Sequence, residues 1–300
     1  MTHQADTRQA DGGSDAVTNQ RTVRDQAARA ARMRRAAIWG GRLGLVVVIL
    51  GGWQLCTSKI GGNKPLVDPF FYGQPSGIWK RLVDLFQHGT EFGSYWLQIE
   101  TTLKEAVFGF LIGAVTGIVF GVALGQSRFL AEVIGPFIKV FNAIPRIVLG
   151  SIFIVAFGVG MTPKVLLAAV LVFFIVFFNA FQGVREVDRN IIANARVLGA
   201  SPLEIVRHVT LPSALTWIIA SLHTAFGFAI VGALVAEVLG AQAGLGLVIK
   251  TAQGNFDPNG VFAVMLTVSV ITLVAEFILT RLERRLLSWR PPSLSDTPAI

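Results

Sequence analysis

Polar and apolar positions along this chain segregate on the scale of a bilayer rather than of a helix face. About six stretches carry few charges or none, and each is close to the roughly 20 residues that cross a hydrocarbon core as a helix. The candidates are Ala36–Cys56, Ala106–Ser127, Gly135–Gly158, Val165–Phe181, Ser213–Val238 and Pro258–Thr280. Ala106–Ser127 is free of charge, and Arg42 sits near the start of the first stretch, where a long side chain can snorkel to the interface. The third stretch is interrupted by Lys139 and Arg146. The pattern predicts an all-α polytopic membrane protein with about six transmembrane helices.

Two of the polar connections are too long to be simple turns. In the segment from Thr57, Pro65, Pro69 and Pro75 predict an extended opening. Ile78, Leu82, Leu85 and Phe86 then recur at helical spacing, predicting a surface helix that covers one mouth of the bundle. In the segment 182–213, Val187, Ile191, Ala195 and Leu198 fall on one helical face, with Asp188, Arg189, Asn190 and Asn194 elsewhere. Gly199 can take the left-handed conformation that ends a helix. Ser201, Pro202 and Glu204 then form the pattern of a new helix start with a capping box, and Pro212 marks where the next span can begin. Two short helices around a glycine hinge make a rigid elbow. Such an elbow either rests on lipid headgroups or offers a knob to something outside the membrane.

Composition agrees with the pattern: 53% hydrophobic, 15% charged, mean hydropathy +0.61, against about 25% charged in soluble domains. The net charge of +8 is topological. Arg21, Arg24, Arg29, Arg32, Arg34 and Arg35 precede the first apolar stretch, and Arg281, Arg284, Arg285 and Arg290 follow the last. No aromatic-interleaved basic stripe accompanies them, which excludes a nucleic-acid reading. With both termini inside, the inner segments hold sixteen lysines and arginines and the outer ones six, so the positive-inside bias predicts an N-in, C-in arrangement and an internal elbow. The first apolar stretch begins too late for a cleavable signal peptide. The first twenty residues are too polar for a core and are expected to be disordered. Cys56 is alone, so neither a disulfide nor a thiolate metal site is available.

The stretch from Ala193 to Pro212 resembles the signature loop of type-I ABC importer permeases, a Glu-Ala-Ala triplet followed by three residues, Gly, and later Leu-Pro. Ala195, Gly199, Leu211 and Pro212 match, within the run Ala195-Arg196-Val197-Leu198-Gly199-Ala200-Ser201. Ala193 stands where the family has Glu, and Asn194 where it has the first Ala. Further similarities are Thr101-Thr102-Leu103, Ile144-Pro145-Arg146, Phe157-Gly158-Val159-Gly160, Ala236-Glu237 and Gly244-Leu245-Gly246. The end, Leu282-Glu283-Arg284-Arg285 through Trp289, resembles the nitrate, sulfonate and taurine branch.

The residue pattern divides the chain into a disordered basic cytoplasmic leader (1–35), a first transmembrane helix (36–56), a periplasmic connector with a surface helix (57–97) and a cytoplasmic tail (282–300). The resemblance, which runs from about Gln98 to Trp289, implies a type-1 transmembrane domain over 98–281. It further implies a multi-pass permease of the bacterial inner membrane carrying a small organic anion by alternating access. Its implied partners are a cytosolic ATPase binding ATP and Mg, a periplasmic substrate-binding protein and a second permease subunit, as a homodimer. The loop 187–212 is the implied coupling element, with Ala195, Arg196, Leu198, Gly199, Ala200, Ser201, Leu211 and Pro212 as its residues. With Ala193 in place of Glu, docking must rest on shape, Arg196 and Arg189.

No catalytic or metal-binding set is visible: His3, His88, His208 and His223 lack metal spacing. Gly244 to Thr251 imitates a phosphate loop but has Ile249 where Gly is required. An ion-gradient transporter would combine internal repeats carrying matching broken helices with intramembrane carboxylates, a combination not evident in the sequence. Asn142, Arg146, His223 and Glu237 remain as candidates for a substrate path or gate. Arg146 either anchors an anionic substrate or is held in an ion pair, with Glu237 or across a subunit contact. Glu237 is a gate or a structural hydrogen-bonding group, and His223 a packing residue or a ligand.

Overall fold

The computed structural model describes residues 7–58 and 65–286, and the side chains of these from Arg29 onward except those of Ala31, Arg128, Arg189 and Leu286. Trp289, Arg290 and His3 lie outside the described residues. All regular structure among the described residues is helical, apart from an isolated bridge between Thr90 and Gly93. The chain divides into two compact units, residues 1–75 and 76–300.

The first unit holds α1 (Thr7–Thr57) and the short α2 (Pro69–Tyr72). Only Arg32–Thr57 is apolar enough to cross a membrane. The leader before it is helical from Thr7, where composition predicted disorder; its many Ala, Arg and Gln residues are strong helix formers. At the end of α1, Thr57 and Ser58 donate their hydroxyls to the carbonyls of Trp53 (2.8 Å) and Gln54 (2.6 Å). The Val67 amide bonds Cys56 O at 3.0 Å and folds the connector back.

The second unit begins with α3 (Pro75–His88) and α4 (Tyr95–Gln126), followed by α5 (Arg128–Ala143), α6 (Arg146–Phe157) and α7 (Met161–Arg185). The elbow is α8 (Arg189–Val197) and α9 (Pro202–Ile205). A π-helical turn (Val206–Thr210) leads into α10 (Leu211–Leu239), then α11 (Leu245–Gly254) and α12 (Pro258–Leu286). α4, α7, the run Pro202–Leu239 and α12 are long and apolar enough to span. A helix stands where the spacing predicted one: Ile78 and Leu85 of α3 are buried while Phe86 is exposed, and Arg81 pairs with Asp257 beside α12 at 2.9 Å.

The third apolar stretch is not a single straight span. α5 and α6 meet at 85°, because Pro145 excludes a helical conformation at the residue before it; Ile144 is extended, at ψ 128°. The fifth span reaches back beyond Ser213. Pro212 has no N–H for the residue four before it and its ring crowds that carbonyl. The widened turn at Val206–Thr210 absorbs the conflict without ending the helix.

The bundle is centred on α4 against α7, with α10 packed on both. Gly109, Gly113, Gly117, Gly121 and Gly125 recur every four residues along one face of α4. A Cβ at Gly117, Gly121 or Gly125 would lie 3.0, 2.7 or 2.8 Å from Val176, Ala180 and Val184 respectively. The ladder lets two backbones approach where lipid supplies no hydrophobic drive of its own. Ala106, Val172, Val176, Phe226 and Ala229 fill the adjoining core.

Candidate functional site

The elbow is built by local capping. Asp188 accepts the Asn190 amide at 2.8 Å and starts α8, so it is a cap rather than a face residue. Gly199 ends the helix at φ 88°, in the left-handed region. Ser201 and Glu204 then form the reciprocal capping box: the Ser201 amide donates to Glu204 at 2.7 Å, and the Glu204 amide to the Ser201 hydroxyl at 3.3 Å. The expected apolar face splits in two. Val187 is buried, whereas Ile191 is 51% exposed and Leu198 86%. With Val197 at 86% and Leu203 at 75% exposure, the hinge presents a protruding apolar knob. Arg196 is exposed beside it, and Ala195 and Ala200 are half-buried beneath. Leu211 and Pro212 open α10.

A second location is the break between α5 and α6. Arg146 begins α6, bonds the Asn142 side chain one turn back, and lies over the Phe174 ring of α7 at 5.0 Å. No carboxylate pairs with it among the described residues, and its Nε has no hydrogen-bond partner. The ion pair with Glu237 entertained from sequence is absent, since Glu237 is committed elsewhere. The break therefore holds a cation whose charge is unmatched within the described chain.

Glu237, at the end of α10, is fully buried in a polar lattice. One carboxylate oxygen accepts the Thr102 hydroxyl at 2.7 Å and the other the Gly246 amide at 2.6 Å. Gln98 accepts the Gly244 amide at 2.7 Å, and Thr102 the Leu245 amide at 2.8 Å. Close by, Lys164 of α7 pairs with Glu105 of α4 at 3.3 Å, both buried. The first amides of α11 are thus satisfied by side chains of α4 and α10, which fixes the loop after α10 to the bundle. Gly244, at φ 119°, is obligatory here, because a side chain would collide with the Glu237 carboxyl. His223 is not buried in apolar packing: its ring nitrogens bridge Glu276 (2.7 Å) and Glu283 (3.1 Å) of α12.

Residues 113–288 match the model of the family described as "Binding-protein-dependent transport system inner membrane component". This chain belongs to that family. It is 31% identical over 278 residues to the putative aliphatic sulfonates transport permease protein SsuC of Bacillus subtilis, covering 93% of this chain and 96% of that one. To the taurine transport system permease protein TauC of Escherichia coli it is 26% identical, over 82% of this chain and 87% of the relative. Among solved structures, an inward-facing MetNI methionine ABC transporter chain superposes with a TM-score of 0.52 at 20% identity, covering 70% of this chain and 94% of that one. That likeness shows the fold alone; family membership and the sulfonate-permease relative make the chain a multi-pass inner-membrane permease of the ABC importer type.

Within this permease the lattice around Glu237 escaped sequence reasoning. α11 lies between two predicted spans where no helix was expected, and its Gly244-Leu245-Gly246 run gave a family similarity and a phosphate-loop mimic but no sign of what its amides would meet. Gln98, Thr102, Glu105 and Lys164 come from two other helices, and no spacing within any one segment signals their convergence. A glutamate and a lysine near span ends were the available clues, and each taken singly looks interfacial.

Proposed function

We propose that this permease carries a small organic anion of the sulfonate or taurine class inward by alternating access, driven by a separate ATPase that grips the elbow 187–212. The carrying observation is the elbow itself, a capped hinge at Gly199 exposing Val197, Leu198 and Leu203. Apolar side chains held outward on a rigid turn match a docking knob better than a loop resting on headgroups. The sulfonate and taurine relatives support the substrate class, and the unpaired Arg146 supplies a cation for it.

A second permease subunit and a periplasmic binding protein complete the machine, with the elbow on the cytosolic side. The second subunit is another copy of this chain. ATP binds at the ATPase, not on this chain, and closure of the ATPase pair draws two elbows together and rocks α4, α7 and α10. ATP shifts the equilibrium because it has different affinity for the two states. In this reading the Glu237 lattice keeps the loop after α10 rigid while the bundle rocks, and the His223 bridge couples α10 to α12. The test is reconstitution with a cognate ATPase and binding protein, followed by uptake of labelled taurine and alkanesulfonates. ATP-dependent uptake that falls at least tenfold in Arg146→Ala, with the ATPase still bound, is the expected result. Failure of any ATPase to co-purify removes the reading.

A further inference from the structure

The elbow has an inner side as well as an outer one. Between it and the ends of α4 and α7 lies a cavity of about 700 Å³. Gln126, Val184 and Arg185 form its wall on the bundle, and Ile192, Ala193 and Arg196 face them from the elbow. Arg185 and Arg196 are the charged residues of the lining, and no carboxylate lines it. Neither arginine forms an ion pair among the described residues. The acids nearest in sequence are engaged elsewhere: Glu186 accepts from Gln182 at 3.0 Å, and Asp188 caps α8. Arg185 lies over the Phe181 ring at 5.3 Å, a contact that leaves its charge unneutralised.

The rest of the lining is mixed. Ile205 and Val206 continue the apolar wall begun by Val184, while Gln126 and Thr210 add polar atoms. The cavity also has a definite level in the molecule. α4 stops at Gln126, α7 stops at Arg185, and the next spanning run begins at Pro202, so the site lies where the spans leave the hydrocarbon. Two unpaired arginines above an apolar wall at that boundary match a ligand with an anionic head and a hydrocarbon tail. Soluble anions have no use for the apolar wall, and a neutral lipid none for the arginines.

We propose that this cavity binds one anionic phospholipid, its phosphodiester held by Arg185 and Arg196 and its acyl chains against Val184, Ile205 and Val206. The lipid braces the inner wall of the elbow and leaves Val197, Leu198 and Leu203 free on the outer side. Ala193 contributes only a methyl group to the wall, which keeps the space and the positive charge open. A carboxylate at that position pairs with the arginines and closes the site.

Native mass spectrometry of the full chain, released from detergent and titrated with phosphatidylglycerol or phosphatidylcholine, tests this. Each arginine near an anionic lipid is worth about fivefold, so one phosphatidylglycerol per chain binds about 25-fold tighter than phosphatidylcholine. That preference disappears in the Arg185→Gln/Arg196→Gln pair and in Ala193→Glu, and survives in the charge-matched pair Arg284→Gln/Arg285→Gln. Equal binding of the two lipids by the unaltered chain overturns the proposal without any variant. So does equal loss in the control pair, or an undiminished preference in Ala193→Glu. Displacement of the bound phosphatidylglycerol by millimolar inorganic phosphate assigns the site to soluble anions and overturns the lipid.

Discussion

Gly199 and Glu237 show how single residues carry opposite duties in this permease. A Cβ added at Gly199 meets nothing within 4 Å beyond its chain neighbours; the obstacle is its φ of 88°. For a β-branched residue that conformation costs about 1–2 kcal/mol. Gly199→Val is expected to leave membrane insertion intact and abolish uptake, because the elbow no longer turns where the motor grips it; transport at the unaltered rate speaks against the lever. Glu237 is the reverse case, set by neighbours rather than backbone. Glu237→Ala leaves the Gly246 amide without its acceptor in a buried site, at about 1–3 kcal/mol for the orphaned group, and leaves the Thr102 hydroxyl only the Gln98 carbonyl, at 3.2 Å, to donate to. Thermal unfolding in detergent is expected to show a lowered midpoint, with early amide exchange in α11. Gly199 was legible in the sequence because capping is written in consecutive residues. The partners of Glu237 were not, because they lie 135 and 9 positions away in the chain.

Among the helices, α4 depends on its glycine ladder and α5 does not. Gly117→Leu forces α4 off α7 against the Phe173 carbonyl and Val176 and is expected to destabilise by at least about 1–3 kcal/mol. A Cβ added at Gly135 on α5 meets nothing within 4 Å, and Gly135→Leu is expected to be close to neutral, since Leu is the better helix former. Chemical denaturation of the two variants in the same detergent compares them directly. Hydropathy located α4, α7 and α12 because a span is a local property of composition. It merged α5 and α6 because a window average passes over Pro145; at the 85° turn there Arg146 bonds Asn142 and lies over the Phe174 ring.

For the whole molecule, the basic leader, the elbow and the basic tail are expected on one side of the membrane. Because Cys56 is the lone cysteine, a Cys56→Ser background accepts single reporters cleanly. Leu198→Cys is expected to react with a membrane-impermeant thiol reagent in inside-out vesicles and not in intact spheroplasts, and the opposite pattern reverses the topology. Membrane class, the places of the long straight spans and the elbow hinge follow from the sequence by itself, because hydrophobic length and capping are short-range properties that each segment expresses wherever it is placed. The glycine contacts of α4, the burial of Gln98, Thr102, Glu105, Lys164 and Glu237 in one lattice, and the unmatched charge of Arg146 were decided only by tertiary structure. Burial and pairing belong to the space between helices, and a polar residue acquires its partner, or is left without one, only when distant segments pack.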